Sequence, residues 1–180
     1  MSLAALTKAS GQNAEGIHII RAGLNNSFKT QGISLMTNSN RKENTFNSYL
    51  FGLDTYGIYQ KKTTQPGVKF QFSHNTVLSY KEITDGVFCL LYAGGGGVAG
   101  YVKDYASTMR NSGVLIGITA SAGGLLAFSG TRFELGMDFT AEMGLHLRKM
   151  IESNGSLGLS WYANGLIRAL IPQILIYYRF

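Results

Sequence analysis

His146 lies in line with charged residues at alternate positions of the chain: Arg132, Glu134, Asp138, Glu142 and Arg148 all share its parity. Carboxylates and an imidazole along one line are the groups that acid–base work or a proton path needs. With Ser112, Ser156 or Ser160 brought within reach, they would also furnish a Ser–His–acid hydrolase acting on lipid. No nucleophile motif accompanies them, and such a site is defined by geometry rather than by sequence neighbourhood. A plainer reading is mutual neutralisation of these charges inside the protein. His18, His74 and His146 fall on separate segments without ligand spacing, and Cys89 is the only cysteine, so neither a metal set nor a cofactor is expected. Gly95, Gly97 and Gly100 match G-x-G-x-x-G, but the segment after them, Tyr101 to Asn111, is short and polar where a dinucleotide site needs a helix.

The elements that carry these residues are long strands. From Arg132 to Arg148, Phe133, Leu135, Met137, Phe139, Ala141, Met143, Leu145 and Leu147 take one parity, and the charged and small residues take the other. Strict alternation over such a length indicates a strand. At about 3.3 Å per residue it is long enough to cross a bilayer even when tilted. Residues 113 to 128 alternate in the same way, and Ser129-Gly130-Thr131 supplies a tight turn between the two segments. Residues 86 to 103 form another long strand whose glycines permit bending and close packing in a narrow interior.

The first half of the chain is less regular. Residues 16 to 24 and 44 to 54 read as strands, Gln65-Pro66-Gly67 as a turn, and residues 68 to 73 and 76 to 83 as two further strands. With the C-terminal segment this makes eight strands, and residues 25 to 43, 104 to 111 and 149 to 165 are expected as the longer loops. Residues 1 to 14 read as a leader or residual signal segment, residues 15 to 180 as one barrel domain.

Composition agrees with an antiparallel barrel. The 180 residues include 23 glycines and only two prolines, and the mean hydropathy is +0.05. No run of apolar residues is long enough for a membrane helix, whereas a membrane barrel hides its apolar face by alternation. The net charge of +6 comes from scattered residues, with no basic run longer than a pair such as Arg41-Lys42, so no nucleic-acid footprint is expected.

Which parity faces outward separates two barrels. In a soluble, lipocalin-like barrel the apolar parity points inward around a ligand; in a membrane barrel it meets lipid. Bulky Phe, Leu and Met on the apolar parity, with charges of both signs on the other, favour the membrane arrangement. Eight strands leave an interior only wide enough for side chains. Arg21, Lys69, Arg132, Glu134, Asp138, Glu142, His146, Arg148 and Arg179 are therefore expected to form a lumen charge network. Aromatic girdles are expected at both ends: Phe128 and Phe133 beside the short turn, and Tyr101, Tyr105, Trp161 and Tyr162 beside the longer loops.

The chain ends on Phe180, after Leu170, Pro172, Ile174, Ile176 and Tyr178 on the same parity. This ending, with LYAGGGGVAGYVKD and IPQILIYYRF, resembles the small eight-stranded bacterial outer-membrane β-barrel proteins, including uncharacterised members. The resemblance covers the chain from about residue 15 and is most specific from 86 to 180. It implies an all-β, up-and-down transmembrane barrel in the outer membrane, with lipid as a partner. It further implies that Ile176, Tyr178 and Phe180 are the signal read by the barrel-assembly machinery. Pro172 departs from the pattern, since it cannot donate to a ladder, and a bulge is expected there. A structural or surface-interaction role is expected, with an external partner unknown. A narrow conduit for small apolar molecules, a lipid hydrolase and a soluble ligand-binding barrel are the alternatives.

Overall fold

The computed structural model describes residues 20–38, 44–103, 112–149, 157–162 and 164–180. They form an all-β, closed, antiparallel up-and-down barrel of the transmembrane type. The strands are β1 (Ile20–Asn26), β2 (Thr30–Asn38), β3 (Thr45–Asp54), β4 (Gly67–Thr84), β5 (Val87–Lys103), β6 (Ser112–Phe128), β7 (Phe133–Lys149), β8 (Leu157–Trp161) and β9 (Gln173–Arg179). Two single-turn helices, α1 (Tyr56–Tyr59) and α2 (Asn164–Ile167), lie on connections. No helix among the described residues is long and apolar enough to cross a membrane.

Each strand pairs with the next from β1 to β7, and β9 closes the ring between β7 and β1. β8 and β9 both pair with β7, β8 over Leu145–Lys149 and β9 over Phe133–Asp138, so together they make one interrupted eighth stave. Two expected strands, 68–73 and 76–83, are the single strand β4. The register shifts between Val77 and Ser79 and between Glu82 and Thr84 are bulges that switch side-chain parity and disguise its continuity. The expected loop 25–43 contains β2, and the expected loop 149–165 contains β8. The last strand starts at Gln173, so Pro172 precedes the ladder and no bulge is needed to accommodate it.

The faces settle the orientation. On β7, Phe133 is 57% exposed and Met143 40%, whereas Glu134 and His146 are 2% and 0%. The apolar parity is outside and the charged parity inside, the reverse of a soluble ligand-binding barrel.

The register also fixes the tilt. Stepping from Asn26 across ladder partners through Gln31, Leu53, Val68, Tyr101 and Val114 reaches Leu147 on β7; stepping the other way through Ile174 reaches Met137. That offset of ten residues in eight staves corresponds to strands inclined at roughly 40°. β7 is two staves from β1 on the short side, so Asn26 stands level with a point a quarter of the way from Met137 to Leu147, near Thr140. Thr140 is one residue from the middle of β7. The β1–β2 connection, Ser27–Lys29, therefore turns halfway up the wall, and Lys29 Nζ donates to the Thr140 carbonyl at 3.0 Å.

Candidate functional site: the barrel interior

The interior is stratified along the barrel axis. Toward the end carrying Phe180 and the 129–132 turn, here the terminal end, Met36, Phe46, Leu90, Tyr92, Leu125, Leu175 and Tyr177 form an apolar cluster. Beneath its edge Arg21 Nε donates to Glu134 at 2.6 Å, and Arg179 approaches the same carboxylate at 3.7 Å. The opposite, loop end holds a second cluster of Val98, Val102, Leu115 and Tyr162.

Between them lies a polar belt. Asp138 accepts from Thr140 Oγ1 at 3.1 Å and from the Tyr92 hydroxyl at 3.4 Å. Gly123 makes room for this arrangement: a Cβ there would stand 2.6 Å from the Asp138 Cβ and 2.8 Å from the Tyr92 hydroxyl. Asn25 Oδ1 accepts from Ser34 Oγ at 2.6 Å and from the Tyr177 hydroxyl at 3.3 Å. A cavity of about 20 Å³ in this belt, lined by Ser73, Gln71, Ser121, Asp138 and Gln173 among others, has room for about one water.

Above the belt sit buried charges. Lys69 pairs with Glu142. Arg168 Nη1 reaches both oxygens of Asp54 at 2.9 and 3.0 Å, and its guanidinium lies 4.2 Å from the centre of the Tyr56 ring. Lys29 donates to the carbonyls of Thr140 and Arg168, and no carboxylate stands within ion-pair distance among the described residues. Buried ions tolerate low dielectric only when paired and hydrogen-bonded, so these contacts fix the side chains that carry them.

Of the expected charge network, Arg21, Lys69, Glu134, Asp138, Glu142 and His146 face the interior. Arg179 stands half-buried at the terminal mouth and Arg148 half-buried at the loop end. Arg132 does not join them: it is exposed on the turn, where Nη1 meets the Tyr178 hydroxyl at 3.5 Å. Among the expected girdle residues, Tyr101, Phe133 and Trp161 are exposed outside and Phe128 is half-buried. Tyr162 is corrected: it follows Trp161 directly, so the alternation that turns Trp161 outward turns Tyr162 inward, where it is 1% exposed. Tyr105 lies outside the described residues. Ile176 and Phe180 are exposed and Tyr178 half-buried, the last packed edge-on against Phe133 and Phe180.

The hydrolase geometry is not assembled among the described residues. His146 Nε2 faces the Val102 carbonyl at 3.3 Å, and Ser160 Oγ donates to the His146 carbonyl rather than to its ring. His18 and Ser156 lie outside the described residues. No cluster of metal-ligating side chains occurs among the described residues.

Lys29, Asp54 and Arg168 escape sequence reasoning because they lie on or beside connections, where no periodicity marks an inward side chain. Gln71, Tyr92, Gln173 and Tyr177 carried a usable signal, since each shares the inward parity of its strand.

No protein-family model matches the chain, and no curated protein matches it. Among solved structures it is similar to the N-terminal β-barrel domain of Pseudomonas aeruginosa OprF, with a TM-score of 0.54 and 13% sequence identity over 91% of this chain and 96% of that chain. At that identity the likeness speaks for the barrel fold.

Proposed function

We propose that the chain is an integral outer-membrane barrel with a structural or surface-interaction role and a lumen closed by its own charged side chains. The inverted faces of β7 carry this reading, because an apolar exterior around buried ion pairs is stable only where the exterior solvent is lipid. Likeness to the OprF barrel domain supports the barrel fold on which this reading rests. With an even number of staves, both ends of the barrel chain lie on one side, which we take as periplasmic. Ile176, Tyr178 and Phe180 would then be presented to the barrel-assembly machinery, and Phe133 would mark the periplasmic interface opposite Tyr101 and Trp161. The loops would meet the exterior. The cross-lumen pair Lys69–Glu142, with the Arg21–Glu134 pair at the terminal end, leaves no wide aqueous path for general diffusion.

Two measurements test it. Protein refolded in detergent should migrate differently on a gel before and after boiling, and in planar bilayers it should show no steady porin-sized conductance. A chain that stays soluble and monomeric without detergent would sink the membrane reading; large open-channel currents would sink the closed lumen.

A further inference from the structure

The barrel wall is not the same height all round. β7 rises to Lys149, but its neighbour β9 starts only at Gln173, opposite Asp138, and β1 ends at Asn26, level with Thr140. Opposite residues 139–144 of β7 the eighth stave gives way to residues 162–172, which carry α2. The insert is longer than the six residues it faces, and at α2 it presses against them: a Cβ on Gly165 would lie 2.7 Å from the Glu142 Cβ. Between β8 and the β1–β2 connection the strand ladder is therefore breached on the loop side of mid-height, and α2 and the Arg168 turn fill the gap.

Two features of the breach point the same way. The first is outside: Phe28, Tyr59, Leu166 and Leu170, all on connections, are exposed and continue the apolar outer face of the wall, with Phe28 and Tyr59 packed edge-on at 5.0 Å. The second is inside. Arg168 is 2% exposed and spends one nitrogen, Nη1, on both Asp54 oxygens, so Nε and Nη2 have no hydrogen-bond partner among the described residues. Lys29, beside it, has only carbonyl partners. Buried N–H donors on a cation are costly to leave unmatched, and an anionic acceptor would match them best.

We propose that this breach is a lateral binding site for a single-chain amphiphile with an anionic head, carboxylate or phosphate. The head meets Arg168 and Lys29 once the α2 segment yields. The chain lies outside along Phe28, Leu166 and Leu170. The proposal rests on the membrane reading, and it gives the barrel a ligand class that a purely structural role does not require.

The only tryptophan, Trp161, is the last residue of β8 and borders the breach, so it reports on the site without labelling. Full-length protein refolded in non-ionic detergent is titrated with 9,10-dibromostearate and, separately, with its neutral methyl ester. Saturable quenching by the acid at roughly ten-fold lower concentration than the ester is expected, the ratio that one charge-assisted hydrogen bond supplies. Lys29→Gln and, independently, Arg168→Gln should bring the two titrations together. Boiled and unboiled gels of each variant separate loss of the site from loss of the barrel, and either variant alone suffices if the other does not fold. Equal quenching by acid and ester in the native protein overturns the proposal. Inorganic phosphate at millimolar concentration should not displace the acid; if it does so fully, the site belongs to a free anion and the amphiphile is excluded.

Discussion

At the scale of single residues, the interior is held by partners that cannot be removed singly. Truncating Glu142 to Ala leaves the Lys69 ammonium buried without its counter-ion, and a loss of about 3–5 kcal/mol is expected in denaturant titrations of the refolded barrel. The double variant Lys69→Met/Glu142→Leu should recover most of that loss, because an apolar pair of similar volume avoids desolvating two ions. Tyr177→Phe removes the hydroxyl that serves Asn25 Oδ1 beside Ser34, which still donates to it, and is expected to cost about 0.5–1.5 kcal/mol in the same titration. Residue-level legibility followed parity. Glu134, Asp138, Glu142 and His146 could be placed inside because they alternate with Phe133, Met137, Met143 and Leu145. Arg132 could not, since it sits one step beyond the ladder, on the turn, where alternation no longer dictates direction.

Elements were legible in proportion to the regularity of their outer face. β6 and β7 have apolar residues at nearly every outward position, and their limits could be read to within a residue or so. β4 hid its continuity: His74 and Thr76 are polar on the outward face, and the bulge at Val77/Ser79 shifts the parity that follows. β2 was missed because Ile33 and Leu35 are too few to announce a strand among Thr, Gly and Ser. The barrel has the expected eight staves because β4 reads as two strands while β2 carries too weak a pattern to read as one. The α2 insert has an element-scale test. Gly165→Val should press against the Glu142 backbone and lift α2 from β7, costing roughly 1–3 kcal/mol. Trp161, at the end of the stave that leads into the insert, should change its emission in that variant, whereas Gly130→Ala, at a turn with nothing within 4 Å but a φ of +79°, should leave it unaltered.

For the molecule as a whole, the two solvents are exchanged relative to a water-soluble barrel, and substitutions should respond accordingly. Ile118→Arg on the outer face near mid-height is expected to cost about 2–4 kcal/mol in lipid vesicles, while Leu157→Arg, beyond the Trp161 level at the loop end, should cost far less. Equal penalties at the two depths would contradict the membrane placement. The global fold was legible because alternation reports directly on a two-solvent wall. The activity was not, because the interior chemistry draws on Lys29, Asp54 and Arg168, which come together only when distant connections meet at one height.

The stepped wall has a mechanical consequence. β5 and β6 are paired along their entire length, from Val87 to Lys103 against Ser112 to Phe128, whereas the seam where β1 and β9 join runs only from Arg21 to Asn26 against Ile174 to Arg179. A closed cylinder under stress parts along its shortest stitching. Amide protons of β1 and β9 should thus exchange with solvent long before those of β5 and β6, and this seam is the line along which the barrel would first come undone.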